Sequence, residues 1–308
     1  MAATTVTIQP ARHVGGQAAS RIWRAVRKNR KATAGAILLL FFCFLGLFPG
    51  LIAHKSPTAE IYGRSMGVSS AHLLGTTAYG QDLFAQVVWG TRQVLIIAFG
   101  AGLAATAIAA IVGVTAAYVG GAWDGVLNLI TDVLLVIPLF PLLIVLASYL
   151  HGASTGVMIA VITFTGWSYT ARQLRSQALS LRGRDFLEAA RVRGERPRYI
   201  IVVEIIPTMT SLLVAAFLTN ALYAVLFSSG LQFIGLGDPN TTSWGTMLYW
   251  AENNEAFQVA PLWIIVPGLC IVALGAAFAL LNYAFDEIGN PALRPVRSMR
   301  RNRVKRAG

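Results

Sequence analysis

The stretch VLIIAFGAGLAATAIAAIVGVTAAYV, residues 94–119, decides the fold, and it contains no charged side chain. A helix of about 20 apolar residues crosses the roughly 30 Å of hydrocarbon in a lipid bilayer, so this stretch is long enough for one crossing. It is also rich in glycine and alanine, which allow a second helix to approach closely. We therefore predict a membrane-spanning helix that packs against other helices through its small residues.

Five further stretches of the chain are similarly apolar, and they predict spans at residues 34–53, 126–150, 156–171, 208–228 and 261–285. Of the 308 residues, 56% are hydrophobic and only 12% are charged, whereas about a quarter of a soluble domain is charged. The mean hydropathy of +0.62 likewise excludes a soluble or disordered protein. The predicted fold class is an all-α integral membrane protein with six transmembrane helices, since spans of this length are helices rather than barrel strands.

The positive charge of the chain is concentrated in three places. There are 25 Lys and Arg against 13 Asp and Glu, and the basic residues cluster before residue 32, between 172 and 198, and between 294 and 306. With six spans, all three clusters fall on one side of the membrane. Cytoplasmic loops carry an excess of Lys and Arg, so we predict that both termini are cytoplasmic. We interpret the basic tails as arms against anionic lipid rather than as nucleic-acid-binding segments.

The basic loop contains a short sequence that predicts two helices, RDFLEAARVRGERPRYIIVVEIIP, residues 184–207. Asp185 followed by Glu188 has the form of a helix N-terminal capping pair, and Gly194 is placed to end this helix. Proline is favoured in the first turn of a helix and disfavours helical backbone in the residue before it. A second helix should therefore begin near Pro197 and end at Ile206.

Two alanines in the first of these helices allow another surface to approach it closely. Ala189 and Ala190 present almost no side chain, and the surrounding arginines can pair with acidic groups on a partner. From the residues alone, a second interpretation stays open, in which the helix is amphipathic and only touches lipid headgroups.

The loop resembles the cytoplasmic loop of bacterial ABC importer permeases. In that family, E-A-A is followed by a glycine and then by a short stretch that ends in Ile-Pro, and the loop is a coupling helix seated in a cleft of the ATPase subunit. The resemblance implies that the ATPase-coupling residues here are Asp185, Glu188, Ala189, Ala190, Arg193, Gly194, Ile206 and Pro207.

Other segments narrow the resemblance to the dipeptide/oligopeptide/nickel permease group. SAHLLGTTAYGQDLFAQVVWGTR at 70–92 is similar to the segment after the first span in that group, and NRKATAGAILLL at 29–40 resembles its second, C-type permease. The same group is resembled by AAYVGGAWD at 116–124, GLQFIGLG at 230–237, SWGTML at 243–248 and FDEIGNPALR at 285–294.

The resemblance implies four segments in the chain. They are a basic cytoplasmic tail at 1–32, the first transmembrane helix and an extracytoplasmic segment at 33–93, a type I ABC importer transmembrane domain at 94–290, and a basic cytoplasmic tail at 291–308. The implied location is the bacterial inner membrane.

The resemblance also implies partners. They are a second permease subunit, two ATPase subunits that hold ATP and Mg²⁺, and an extracytoplasmic substrate-binding protein. The chain itself contains no G-x-x-x-x-G-K-[ST] phosphate loop, and its four histidines lack metal-ligand spacing, so we expect no enzyme activity and no cofactor in this subunit.

Three alternatives remain at this point. An ATP-independent secondary transporter would need ionisable residues within the membrane, and Asp132 is the clear example. A membrane scaffold would use the basic loop only to recruit a partner. An importer of the same type could carry an oligosaccharide or a nickel chelate instead of a peptide.

Several other residues carry individual expectations. Asp132 lies in a predicted span, so it should face the bundle interior or a polar partner, and its position favours a structural role over substrate contact. Residues 81–89 predict a separate interfacial helix. Prolines at 138 and 141 should interrupt the third span, and those at 261 and 267 should mark the start of the sixth.

The outer loop is either a scaffold hairpin or a docking surface for a binding protein, with candidate residues Asp238, Trp244, Trp250, Glu252 and Glu255.

Overall fold

The computed structural model describes residues 29–149 and 154–289, with side chains described as far as Phe285. Within these ranges the chain is helical and has no β-strand, although Thr76 and Asp82 form an isolated bridge. The longer helices are α1 (Arg30–Leu47), α2 (Leu83–Val119), α3 (Gly121–Val136), α4 (Leu139–Tyr149), α5 (Thr155–Leu181), α6 (Asp185–Val192), α7 (Thr210–Phe233), α8 (Trp244–Asn253) and α9 (Leu262–Gly289). Shorter helical segments are Pro49–Ile52, Pro197–Tyr199, the π-helix Ile200–Ile205, Ile206–Thr208 and Ala256–Val259.

Several of these helices are long and apolar enough to cross a membrane, which confirms the predicted class. Among the described residues they are α1, α2, α7 and the Leu262–Phe285 part of α9, and the bent pair α3–α4 is a fifth candidate. Helix α5 is long but less apolar, because its second half carries Arg172 and Arg175. The prediction of six spans therefore stays a prediction. Most of the basic tails at 1–32 and 291–308 lies outside the described residues.

Helix α2 is the longest element of the fold. It begins after Asp82, whose carboxylate accepts a hydrogen bond of 2.9 Å from the backbone N–H of Ala85. Its 37 residues extend over roughly 55 Å, so it continues beyond the hydrocarbon of a bilayer. The prediction of a separate interfacial helix at 81–89 is wrong, because these residues form the cap and first turns of α2, where Leu83, Val87 and Val88 are buried.

Proline breaks the third predicted span as expected. Helix α3 ends at Val136 and α4 begins at Leu139, and the two helices meet at an angle of 89°. Pro138 lies in the break, and Pro141 lies in the first turn of α4, where a missing N–H costs little. The expectation for Pro267 is wrong, because this residue lies inside α9 rather than at its start.

Small residues bring α2 close to its neighbours, as the sequence predicted. A Cβ at Gly113 would lie 2.4 Å from the carbonyl oxygen of Ala171 in α5, and a Cβ at Gly102 would lie 3.1 Å from Ala221 in α7. The same three helices share a buried polar contact, in which Asn220 Nδ2 donates to Thr106 Oγ1 at 2.9 Å and Thr170 Oγ1 donates to Asn220 Oδ1 at 3.0 Å. These contacts hold α2, α5 and α7 together as the centre of the bundle.

Candidate functional site: the α6 loop, the bundle cavity and the outer surface

Helix α6 ends at the glycine that the sequence identified. Gly194 has φ of +79°, a left-handed conformation that glycine adopts without strain. Its N–H donates to the carbonyl of Arg191 at 2.9 Å, and the N–H of Glu195 donates to the carbonyl of Ala190 at 3.2 Å, which is the Schellman arrangement. The predicted capping pair is wrong, because Arg184 is the N-cap residue, and Asp185 lies in the first turn.

One face of α6 is buried against its own chain. The side chains of Leu187 and Ala190 are fully buried, in a cluster that includes Leu181 of α5 and Ile200 and Ile205 of the π-helix. The prediction that Ala190 admits a partner surface is therefore wrong, since Ala190 instead anchors α6 to the bundle.

The opposite face of α6 is exposed and combines charged with apolar side chains. Glu188 and Ala189 are exposed, as are Phe186 at 38% and Val192 at 88%. The sequence interpretation missed Phe186 and Val192, although their spacing of three residues on either side of Ala189 is the signal that places side chains on one side of a helix. We refer to Asp185, Phe186, Glu188, Ala189 and Val192 as the α6 outer face.

The segment after α6 continues further than predicted. The helical backbone passes through Pro207 and ends at Thr208, so the predicted end at Ile206 is wrong. The π-helix explains the difference, because the N–H of Ile206 bonds to the carbonyl of Ile201, and this wider turn precedes the proline that lacks an N–H. Arg193 reaches this segment through an ion pair of 3.7 Å with Glu204.

A cavity of about 380 Å³ lies between the α3–α4 bend, α5 and α7. Its apolar wall comes mainly from residues 134–139. The described residues that line it carry no charge, but several can form hydrogen bonds. They are Thr165, Ser168, Tyr169, Asn220 and Tyr223.

Two ion pairs join α3 to α5 on the side of this cavity that faces α6. Asp124 accepts two hydrogen bonds from Arg175, at 2.8 and 2.6 Å, and the Asp124 side chain is only 22% exposed. Asp132 pairs with Arg172, and more than half of each side chain is exposed. Asp132 therefore has the polar partner that its position requires, but it does not face the bundle interior. Exposed pairs of this kind typically contribute about 0–1 kcal/mol to stability.

At the other end of the bundle, a buried carboxylate holds the loop before α2. Asp82 accepts hydrogen bonds from His72 Nδ1 at 2.7 Å and from Lys55 Nζ at 3.1 Å, in addition to its contact with Ala85. Burial alone raises the pKa of Asp82, but the hydrogen bonds from Ala85, His72 and Lys55 outweigh it and hold the pKa below its ordinary value. The carboxylate therefore stays ionised at neutral pH and connects the loop to the start of α2.

The candidate docking residues of the outer loop divide into two groups. Trp244 is fully buried and donates from Nε1 to the carbonyl of Val87 at 3.1 Å, so its prediction as a docking residue is wrong. Asp238 is half-buried and accepts hydrogen bonds within its own turn from Asn240 and Thr241. Glu252 and Glu255 are exposed, and Trp250 is half-buried, so these three are the accessible candidates.

A second cavity, of about 340 Å³, lies beside these residues. Trp250 lines it together with Glu60, Tyr79 and Trp263. Among the described residues, no three His, Cys, Asp or Glu side chains form a group that could hold a metal ion.

Comparison with known proteins identifies the class. The family model for binding-protein-dependent transport system inner membrane components matches residues 107–287, and the chain belongs to this family. It is thus a multi-pass inner-membrane transport component, and the resemblance to ABC importer permeases of the peptide type is confirmed.

Individual relatives make the match more specific. The chain is 32% identical to the oligopeptide transport system permease protein OppC of Mycobacterium tuberculosis, over 89% of this chain and 94% of the relative. It is 28% identical to the dipeptide transport system permease protein DppC of Bacillus subtilis, over 88% of this chain and 85% of the relative. A putative peptide permease protein of Brucella suis is 30% identical, over 84% of this chain and 87% of the relative.

Proposed function

We propose that this chain is the C-type permease of a bacterial ABC importer that carries peptides, and that it forms the translocation pathway together with a second permease subunit. The names of its relatives support this cargo, since they transport oligopeptides or dipeptides. Two ATPase subunits hold ATP and Mg²⁺ and supply the energy, and an extracytoplasmic binding protein delivers the peptide.

The α6 outer face is the observation that carries the proposal. An exposed helix with apolar Phe186 and Val192 beside charged Glu188 has the composition of a docking surface rather than of a solvated loop. Its buried side, Leu187 and Ala190, connects it firmly to the bundle, so a displacement of α6 is transmitted to α5 and the π-helix. Nucleotide binding by the ATPases would move α6, and the two permeases would then expose their cavity to alternate sides of the membrane.

The proposed orientation follows from charge. The loop that contains α6 carries a large share of the positive charge of the chain and would lie in the cytoplasm with both termini. Helix α5 supplies the remaining span in this arrangement, with Thr170 held against Asn220 of α7. The outer loop, with Trp250, Glu252 and Glu255, would face the binding protein.

The cavity favours this proposal over a secondary transporter. Coupling to an ion gradient uses ionisable side chains buried within the membrane. Asp132 is instead more than half exposed and paired with Arg172. The described lining of the cavity between α3, α5 and α7 is neutral, and its hydrogen-bonding groups suit the amide groups of a peptide. Cargo of another class, an oligosaccharide or a nickel chelate, is the second candidate within the same importer type.

Affinity purification of the tagged full chain from its native membrane in mild detergent tests the proposal. We expect mass spectrometry to identify a second permease and an ATPase with a phosphate loop, and we expect the purified complex to hydrolyse ATP faster when the peptide-loaded binding protein is added. Replacing Glu188 and Gly194 together should abolish this stimulation while the complex stays assembled. Recovery of the chain alone from a gently treated membrane would contradict the proposal and favour a secondary transporter.

A further inference from the structure

Asp132 and Arg172 form an exposed ion pair between α3 and α5, near the bundle cavity, although neither residue lines it. Side chains three and four residues apart share a face of a helix. Asp132 therefore lies on the face of α3 that carries the cavity-lining residues Leu135 and Val136, and Arg172 lies on the face of α5 that carries Ser168 and Tyr169. Each charged residue is about one turn from the lining residues of its own helix, on the side of α6, and Arg172 also lines a small crevice beside Asn128 and Arg175.

The pair is not needed to hold α3 against α5. Asp124 and Arg175 already join the two helices through two hydrogen bonds, and they are largely shielded from solvent. Asp132 and Arg172 are instead more than half exposed, and exposed ion pairs contribute little to stability. Charged side chains on membrane helices avoid lipid and face water or protein. These two charges therefore face an aqueous mouth of the cavity or another protein.

The pair has unused hydrogen-bonding capacity. Among the described residues, its hydrogen bond joins Nη2 of Arg172 to Oδ1 of Asp132. The second oxygen of Asp132 and the other guanidinium N–H groups of Arg172 have no partner in the described part of the chain. A weak pair with free donors and acceptors can exchange its internal bond for bonds to a ligand that carries both charges.

We propose that Asp132 and Arg172 together bind the two charged ends of a short peptide as it passes through the cavity. This inference rests on the proposed function and deepens it. The Asp132 carboxylate accepts hydrogen bonds from the α-ammonium group, and the Arg172 guanidinium donates to the α-carboxylate, a geometry that arginine favours. An extended residue spans at most about 3.3–3.6 Å, so the two side chains must separate by roughly the length of the peptide to bind both of its ends. Ser168 and Tyr169 line the cavity on α5 and supply hydroxyl groups for the peptide units between the ends.

A peptide with two free, charged ends differs from the other candidate cargoes in the groups that it offers to Asp132 and Arg172. A neutral oligosaccharide has no charged group for either side chain, and a peptide blocked at one end has a partner for only one of them. The sequence alone favoured a structural role for Asp132. The exposure of the pair and its position beside the cavity are what now favour contact with cargo.

Direct binding of dialanine to the importer complex tests the inference. The complex is reconstituted in nanodiscs without the binding protein, and binding of dialanine, N-acetyl-dialanine and dialanine amide is measured by ligand-observed NMR. A hydrogen bond to a charged group corresponds to roughly a tenfold change in affinity or more. We therefore expect Asp132→Asn to weaken dialanine about tenfold and to leave N-acetyl-dialanine unchanged. Arg172→Gln should weaken dialanine and leave dialanine amide unchanged.

The matched control is Arg64→Gln, which removes an exposed arginine from the outer segment and should leave all three affinities unchanged. Size-exclusion profiles of each variant check that the complex is assembled. If Asp132→Asn weakens dialanine and its acetylated form equally, or weakens neither, the inference is overturned, and the pair instead contacts a partner subunit or has no role in binding. If the unmodified complex binds no peptide and shows no peptide-dependent ATP hydrolysis, the proposed function itself fails.

Discussion

Two neighbouring alanines allow the proposed role of α6 to be tested with one chemical change. Ala189 is exposed on the α6 outer face, whereas Ala190 is fully buried against the bundle. Replacing each of them separately with leucine adds the same atoms at positions one residue apart. Any difference between the two variants must therefore come from the direction in which each side chain points.

The structure sets the expected magnitudes. At Ala190 the added carbons enter a packed cluster, and overpacking of this kind costs about 1–3 kcal/mol of folding stability. At Ala189 they enter solvent, so the free energy of unfolding should change by no more than about 0.5 kcal/mol. If an ATPase subunit contacts Ala189 closely, the same overpacking occurs in that interface and weakens coupling about 5–150-fold.

The assay measures two quantities on each variant of the assembled importer. Thermal unfolding in detergent reports stability, and ATP hydrolysis with and without peptide-loaded binding protein reports coupling. We expect Ala189→Leu to keep the unfolding temperature and lose most of the stimulation. Ala190→Leu should lower the unfolding temperature and the yield. Ala189→Ser, which keeps the side chain small, is the control that should preserve both quantities.

Normal stimulation of ATP hydrolysis in Ala189→Leu, at normal yield, would refute the reasoning, because a docked surface cannot admit leucine there without loss. Equal destabilisation by Ala189→Leu and Ala190→Leu would show that α6 is rotated relative to the arrangement described above.

Three further predictions follow from single residues. Gly194→Ala places a Cβ in a left-handed conformation, which costs roughly 1–2 kcal/mol, although no atom lies within 4 Å to clash with it. This strain at the end of α6 should weaken coupling in the same ATPase assay. Gly194→Asn should retain more of the coupling, because asparagine tolerates the left-handed conformation. Burial alone would raise the pKa of Asp82, but its hydrogen bonds hold the pKa below the ordinary value, so this carboxylate stabilises the fold fully above about pH 4 and loses that effect as the pH falls through the lowered pKa. Asp82→Asn keeps a capping side chain and should show a weaker loss of unfolding temperature in acid, and equal acid sensitivity in both proteins would contradict this. Gly113→Ala brings a Cβ within 2.4 Å of a backbone oxygen of α5 and should lower the unfolding temperature, whereas Gly125→Ala, where nothing lies within 4 Å, is the control that should not.

The α6 loop illustrates how far the residues alone lead. The glycine that ends the helix was identifiable because its left-handed conformation depends only on adjacent backbone. The sequence did not show which of the two alanines faces the bundle, because both have the same side chain. Contacts with Leu181 and Ile200, which lie outside the helix, decide that Ala190 faces inward and Ala189 outward.

The outer loop shows the same limit. A tryptophan beside acidic residues, in a short helix at the membrane surface, is typical of an exposed interface position. Trp244 is instead buried, because α2 begins earlier than its apolar run suggested and its first turns supply the carbonyl of Val87 to the indole N–H. The sequence predicted a separate helix at 81–89, because Gln86 and Arg92 lie before the uninterrupted apolar run that begins at residue 94.

Asp132 lies between these two cases. An acid in an apolar helix indicates a polar partner, because the carboxylate is too costly to leave in lipid, and the structure supplies Arg172 as that partner. The sequence offered eight arginines between residues 172 and 198 without a means of choosing among them. The packing of α3 on α5 determines that Arg172 is the arginine that pairs with Asp132, and it places this pair near the cavity.

Composition, charge distribution and short motifs were enough to establish a helical membrane protein of the ABC permease family and the end of helix α6. These features depend on the average polarity of long stretches or on residues within one helical turn. The buried side of α6, the partner of Asp132, the burial of Trp244 and the position of the bundle cavity came only from the tertiary structure. Each of these depends on contacts between segments tens of residues apart, and local sequence does not determine which of several equally suitable segments will meet.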